Sequence, residues 1–298
     1  MTDRAKIAAL LFVLSALIYG LTAPGHMQTG DNRSELAVAQ SIVARGDFTA
    51  RPNQPFVYVP YVFSDGGVPY GPYGIAASVV LLPAVLVGNL TDCPDQPGRC
   101  PASVQHTTEF AASFVCGVFA ALTVMVLFLF ALDLGGSLIV ALALALLFGF
   151  ATIEWPYAHD AYNIGPASLF ILLSLFTLHR GLQRKQARWL AISGTAIGLA
   201  LLTRIPAVLF IPVFGVYLLA GVRADPRRDA LAGLAAWAAP ISIALAVAAG
   251  SRCWGWPRHH HRVHCRLRHG PRPRGGSGFC CHLAETLCGQ GEYRGLAG

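Results

Sequence analysis

Apolar runs long enough to cross or nearly cross a bilayer recur along this chain, at 7–23, 110–132, 137–153, 164–178, 190–202, 207–222 and 230–250. In hydrocarbon no water is present to pair with backbone N–H and C=O groups, so a spanning segment of this length satisfies them within itself, as an α-helix. The expected fold class is therefore an all-α polytopic membrane protein. Composition agrees. The 298 residues are 54% hydrophobic and 12% charged, with a mean hydropathy of +0.53, whereas soluble domains carry about 25% charged residues. The first run follows Arg4 and Lys6 and so also has the form of a cleavable signal peptide. The runs after it favour a retained first helix.

A net charge of +7 suggests nucleic acid until the charges are located. The basic residues fall into short clusters between apolar runs: Arg4/Lys6, then Arg180, Arg184, Lys185 and Arg188, then Arg223, Arg227 and Arg228, with the remaining excess after residue 250. No nucleic-acid motif accompanies them. Cationic loops stay on the cytoplasmic side, which puts these clusters and the N-terminus inside. Counting back from the Arg180 cluster, 164–178 runs inward, 137–153 outward and 110–132 inward, so 92–109 lies outside. The first helix also delivers the chain outside. The apolar stretch 71–88 then has no crossing to make, and its Gly71, Pro72, Gly74 and Pro83 suit a broken juxtamembrane or re-entrant element. A genuine crossing there is the alternative. On this topology 24–109 forms one long outer segment, and 154–160 and 203–206 emerge on the same face.

Within that segment, "TGDNRSELAVAQSIVARGDF" (residues 29–48) reads as a short amphipathic helix. Asn32 with Glu35 three positions on matches a capping box, Leu36, Ala37, Ala39, Ile42 and Val43 supply an apolar side, and Gly46 supplies a stop. Capping accounts for Asn32 and Glu35 without any catalysis. Asp31 precedes the expected cap, and the helix dipole alone would favour a carboxylate there. Of the aromatic residues on the same face, Tyr58, Tyr61, Tyr70, Tyr73, Trp155 and Tyr157 fit a belt at headgroup depth.

A first membrane helix, an outer loop with Asp31 followed by "AQSIVARGD", then "DGGVPYGPYGIAASVVLLPAVLVG", "ATIEWPY" and "GLALLTRIPAVLFIPV", in this order and spacing, resembles the GT-C integral-membrane glycosyltransferases. The branch it is most similar to holds the protein O-mannosyltransferases and lipid A aminoarabinose transferases. The resemblance runs from about residue 5 to 250. It implies a helical bundle with juxtamembrane helices in a long first outer loop, and transfer of a sugar from a polyprenyl-phosphate carrier to an acceptor at the outer face. It also implies a general base at Asp31. Many family members carry two adjacent acidic residues there; Asn32 departs from that pattern, leaving no second adjacent carboxylate for a metal.

Inverting displacement at a lipid-phosphate sugar needs one base on the acceptor side and a cationic or hydrogen-bonding partner for the departing phosphate. Arg204, ending an apolar run at the outer side, is the candidate phosphate ligand; an interfacial arginine snorkelling to water is the plainer reading. His159 and Asp160 at another helix end, and Tyr70 and Tyr73 in "YGPYG", are further candidates for lining the carrier or acceptor groove, or are ordinary loop and belt residues. The chain has no P-loop, no GxGxxG opening a strand–helix unit, no HExxH and no DxD pair. A lipid-linked donor therefore suits it better than a nucleotide sugar. The expected partners are membrane lipid, a polyprenyl-phosphate sugar and an unidentified acceptor, with no nucleic acid and no organic cofactor, the need for a divalent metal staying open. The expected location is a bacterial plasma membrane, active face outward. A transporter is the main rival, but the apolar runs contain almost no charge and no internal repeat is visible. A non-catalytic polytopic membrane protein is the other.

Two further features bear on organisation. Cys93 and Cys100 enclose a Pro/Gly loop on the expected outer face, where an oxidising compartment permits a disulfide; two free thiols are the alternative. From Ser251 the character changes to a Cys-, His-, Arg-, Gly- and Pro-rich mixture without hydrophobic periodicity, holding six of the ten histidines and five of the eight cysteines. A zinc site would need paired CxxC spacing that is not there. A basic unstructured tail is the second reading, and a GC-rich frame read out of phase is the third and favoured one. The expected organisation is a GT-C-like transmembrane domain at 1–250 and a tail at 251–298 that forms no packed domain, making the chain a truncated and inactive member.

Overall fold

The computed structural model describes residues 3–50, 62–63, 69–71, 73–91, 107–159, 163–223 and 230–255. Every apolar run in them is helical, as hydrocarbon demands. The helices are α1 (Asp3–Thr22), α2 (Gly30–Arg45), α3 (Ile75–Val80), α4 (Leu82–Thr91), α5 (Thr107–Asp133), α6 (Leu138–Ala151), α7 (Glu154–Ala158), α8 (Ile164–Arg184), α9 (Ala187–Thr203), α10 (Phe210–Arg223) and α11 (Ala230–Gly255), with a 3-10 turn at Ile205–Leu209 leading into α10. Two two-residue strands, β1 (Val62–Phe63) and β2 (Pro69–Tyr70), pair antiparallel with Val62 opposite Tyr70. The protein is an all-α polytopic membrane protein.

Among the described residues, five helical segments are long and apolar enough to cross a membrane: α1, α5, α8, residues 205–222 and residues 231–250. Two of the seven runs make shorter helices, α6 with 14 residues and α9 with 17. At about 1.5 Å per residue, α6 covers roughly 21 Å of a hydrocarbon core about 30 Å thick. Its ends are fixed by the sequence. Ser137 caps the N-terminus, its Oγ accepting from the Val140 N–H at 3.3 Å, just after Gly135 in the left-handed conformation at φ +88°. The chain turns extended at Thr152.

Stretch 71–88 is broken, as its Gly and Pro content predicts. It forms α3 and α4, interrupted at Leu81, which is buried with Val85 against Met27, Leu36 and Ala112. The cap of α2 differs from the expected one. The N-cap is Thr29, whose hydroxyl accepts from the Asn32 N–H, so Asn32 and Glu35 lie inside the helix and both are buried. Thr29 sits three residues ahead of Asn32 and offers the same capping chemistry. The stop is the expected one: Gly46 adopts φ +69° and its N–H bonds the Ile42 carbonyl at 3.0 Å.

Small residues bring the helices together, as is usual where lipid gives no hydrophobic drive to associate. Gly194 lies so close to the Trp237 carbonyl that no Cβ fits, which fastens α9 to α11. Leu178, Ile197, Leu218 and Trp237 fill the core between α8, α9, α10 and α11. Phe128 and Val124 of α5 fill another against Ala8, Leu11, Ala141 and Ala145. Outward residues such as Leu17, Ile139, Val216 and Ile243 are exposed, as a lipid-facing surface requires.

The helices leave the bundle with two chemically distinct ends. At one, Arg180 at the end of α8 pairs with Asp133 at the end of α5, the second bond measuring 3.0 Å. Its guanidinium lies 4.2 Å from the Phe176 ring centroid, and Arg184 and Arg188 flank Trp189. At the other end meet the C-terminus of α1, the N-terminus of α8 and the C-terminus of α9, together with α2, α3 and α7. Residues 154–159 and 203–206, expected on the same face as the first outer segment, come to this second end with α2 and α3. Helix α11 continues to Gly255, past the expected break at Ser251. The rest of the tail, Cys93, Cys100 and Asp160 lie outside the described residues.

Candidate functional site

A cavity of about 350 Å³ opens at this second end. Its walls come from α2 (Asp31, Asn32, Glu35), the loop before α3 (Tyr73, Gly74), α7 (Tyr157), the start of α8 (Asn163, Ile164) and the segment Thr203, Arg204, Ile205, Pro206. Of the residues singled out from sequence, Asp31, Arg204 and Tyr73 are brought together here.

Local sequence explains each placement. Thr29 starts α2 just ahead of Asp31, so the carboxylate sits in the first helical turn, where the dipole favours negative charge. Four residues on, Glu35 falls on the same helix face. Arg204 ends α9 in an extended conformation (φ −148°, ψ 119°), its N–H still bonded to the Ala200 carbonyl at 2.8 Å, and Pro206 starts the 3-10 turn. Glycine is required at position 74 because the loop rests directly on the end of α9: a Cβ there would run into the Leu202 carbonyl and lie 3.0 Å from the Thr203 oxygen. That contact holds Tyr73 beside Arg204.

Asp31 and Arg204 are both exposed, and neither takes part in an ion pair among the described residues. Glu35 is different: only 3% exposed, it accepts a 2.9 Å hydrogen bond from Asn163 Nδ2. Asn163 stands at the N-cap of α8 but does not cap it with its side chain; the carboxamide reaches across to α2 instead. Sequence reasoning missed both members of this pair. The available signal was the i, i+4 spacing of Glu35 from Asp31, masked by the competing capping reading.

Other candidates fall elsewhere. His159 is not among the residues lining the cavity. Its Nδ1 donates to the Trp155 carbonyl and its Nε2 lies 2.6 Å from Thr22 Oγ1, which ties α7 to the end of α1. Tyr70 lies in β2, paired with Val62 and bridged to Thr49, and does not line the cavity either. Glu154, read only as part of an aromatic-rich loop, is buried at 4% exposure, and its Oε1 has no hydrogen-bond partner among the described residues. Burial pushes its carboxyl up to about 7. Tyr19 packs in the same cluster as Trp155 and Ala158, but its hydroxyl donates to the Gly149 carbonyl at 2.7 Å.

A carboxylate, a guanidinium and a buried carboxylate–carboxamide pair around one cavity can accept a proton, hold a phosphate and hydrogen-bond hydroxyls. The family model described as dolichyl-phosphate-mannose-protein mannosyltransferase matches residues 100–254. The chain belongs to this family. It is thus a GT-C-type membrane glycosyltransferase. The mannosyltransferase-family match spans α5 to α11 and includes Tyr157, Asn163 and Arg204, while Asp31, Glu35 and Tyr73 precede it. No curated protein and no solved structure matches the chain.

Proposed function

We propose that the protein moves a sugar from a polyprenyl-phosphate carrier to an acceptor hydroxyl at the outer membrane face, with inversion at the anomeric carbon. The observation that carries this reading is the convergence of Asp31, from the start of α2, and Arg204, from the end of α9, on one cavity at the end away from the Arg180 cluster. Cationic ends stay in the cytoplasm, which supports an outward-facing cavity.

In the reaction the acceptor oxygen attacks the anomeric carbon while its proton passes to the Asp31 carboxylate. The bond from that carbon to the phosphate oxygen breaks, and its electron pair stays on the phosphate. Arg204 donates N–H bonds to the phosphate oxygens and offsets the charge they gain, a bidentate task suited to guanidinium. Asp31, being exposed, is within reach of an acceptor arriving from water. Asn32, 1% exposed, supplies no second charge beside it.

The test uses the purified protein in liposomes and a radiolabelled prenyl-phosphate mannose, with release of prenyl phosphate as the readout. Asp31→Asn keeps the volume and removes proton acceptance, so turnover is expected to vanish while donor binding persists. Arg204→Ala is expected to weaken donor binding about ten- to a hundred-fold, from roughly 1.5–3 kcal/mol for a hydrogen bond to a charged group. Unchanged turnover in Asp31→Asn would remove the base assignment.

A further inference from the structure

We infer that Glu35 and Asn163 form the subsite that reads the hydroxyls of the transferred sugar, an inference that rests on the lipid-linked donor proposed above. Three observations point to it. Glu35 is buried and yet is one of the residues lining the cavity, so it stands out of bulk water at the wall of the space a ligand would fill. Asn163 gives up the capping role natural to its position and spends one amide N–H on Glu35 Oε1. Its carboxamide oxygen and second N–H have no other partner among the described residues. A carboxylate that only accepts, joined to a carboxamide that both accepts and donates, matches a pair of neighbouring hydroxyls, each of which does both.

Position selects the sugar over the acceptor. Glu35 lies one helical turn beyond Asp31, about 6 Å along α2 at 1.5 Å per residue. The exposed Asp31 meets the acceptor, Arg204 meets the phosphate, and the sugar is covalently attached to that phosphate. The buried polar pair is thus left for the ring that the phosphate carries in. A buried site built to bond a hydroxyl discriminates strongly against a ligand without one, because the amide groups that Asn163 holds in reserve would then bond nothing in return.

The experiment measures equilibrium binding of three short-chain probes to the full chain in lipid nanodiscs: prenyl-phosphate mannose, prenyl-phosphate glucose and prenyl phosphate without sugar. The unaltered protein is expected to bind at least one sugar-bearing probe more tightly than the bare lipid. Glu35→Gln, which keeps an oxygen for Asn163, and Asn163→Ala are each expected to lose that preference, with affinity for the preferred sugar probe falling about ten-fold or more and affinity for bare prenyl phosphate staying within about two-fold. Arg204→Ala is expected to weaken all three probes together. A parallel loss of bare and sugar-bearing probes in the Glu35 and Asn163 variants would overturn the inference, since a pair that merely fastens α2 to α8 would damage the whole cavity. Equal binding of all three probes by the unaltered protein would overturn it as well while leaving the phosphate site standing. Binding of none of them would remove the lipid-linked donor itself.

Discussion

Glu154 offers a quantitative test of the packing at the cavity end of the bundle. Its carboxyl is buried in α7 with Oε1 lacking a partner among the described residues, and burial raises it from an ordinary 4.5 to about 7. At roughly 1.36 kcal/mol per pH unit, this difference amounts to about 3 kcal/mol. The sign follows from proton counts. Between about 4.5 and 7 the folded protein keeps a proton that the unfolded chain has released, so stability falls as pH rises through that window and levels off above it. Below it, the neutral carboxyl carries no such penalty. The assay is the thermal midpoint of the protein in nanodiscs, measured between pH 5 and 8 and repeated with Glu154→Gln, which keeps shape and hydrogen-bonding capacity but cannot ionise. The unaltered protein is expected to lose stability toward pH 8, and the Gln variant to be flatter with pH and more stable at the alkaline end. Identical profiles for the two proteins would refute the assignment of a buried, neutral acid.

Two smaller perturbations probe how the site is held. Gly74→Ala is expected to cost about 1–3 kcal/mol of stability and to weaken prenyl-phosphate binding, because the new Cβ must push the loop off the Leu202 carbonyl; unaltered binding would show that the Tyr73–Arg204 arrangement does not depend on that close approach. Thr29→Ala is expected to lower the thermal midpoint by an amount corresponding to about 1 kcal/mol, with Thr29→Ser restoring it, since the hydroxyl accepts the Asn32 N–H at the start of α2.

Much of the bundle was legible because a bilayer leaves an apolar run little choice: the runs at 110–132 and 164–178 became α5 and α8 with ends shifted by a few residues. The break in 71–88 was legible for a similar reason, Gly and Pro being poor helix continuers. The cap of α2 was misplaced because Thr29 and Asn32 offer the same chemistry three residues apart, and local pattern does not rank them. Long-range packing was out of reach. That His159 would be taken up by Thr22, that Asn163 would cross to Glu35, and that Glu154 would be buried within electrostatic reach of Tyr19 depend on how α1, α2, α7 and α8 meet, which no local spacing encodes. The meeting of Asp31 and Arg204 was suggested by family resemblance and by charge parity, two signals that act over the whole chain.

The measurement closest to the central claim is photo-crosslinking of a prenyl-phosphate mannose that carries a small photoreactive group next to the phosphate, followed by peptide mapping of the labelled full-length protein. The account predicts label in the peptides bearing Tyr73 and Arg204 and in the one spanning Asp31 to Glu35, with protection by excess prenyl phosphate and loss of label in Arg204→Ala. Label concentrated instead around Arg180 and Arg188 at the opposite end of the bundle, or label at the cavity that excess prenyl phosphate does not displace, would contradict it.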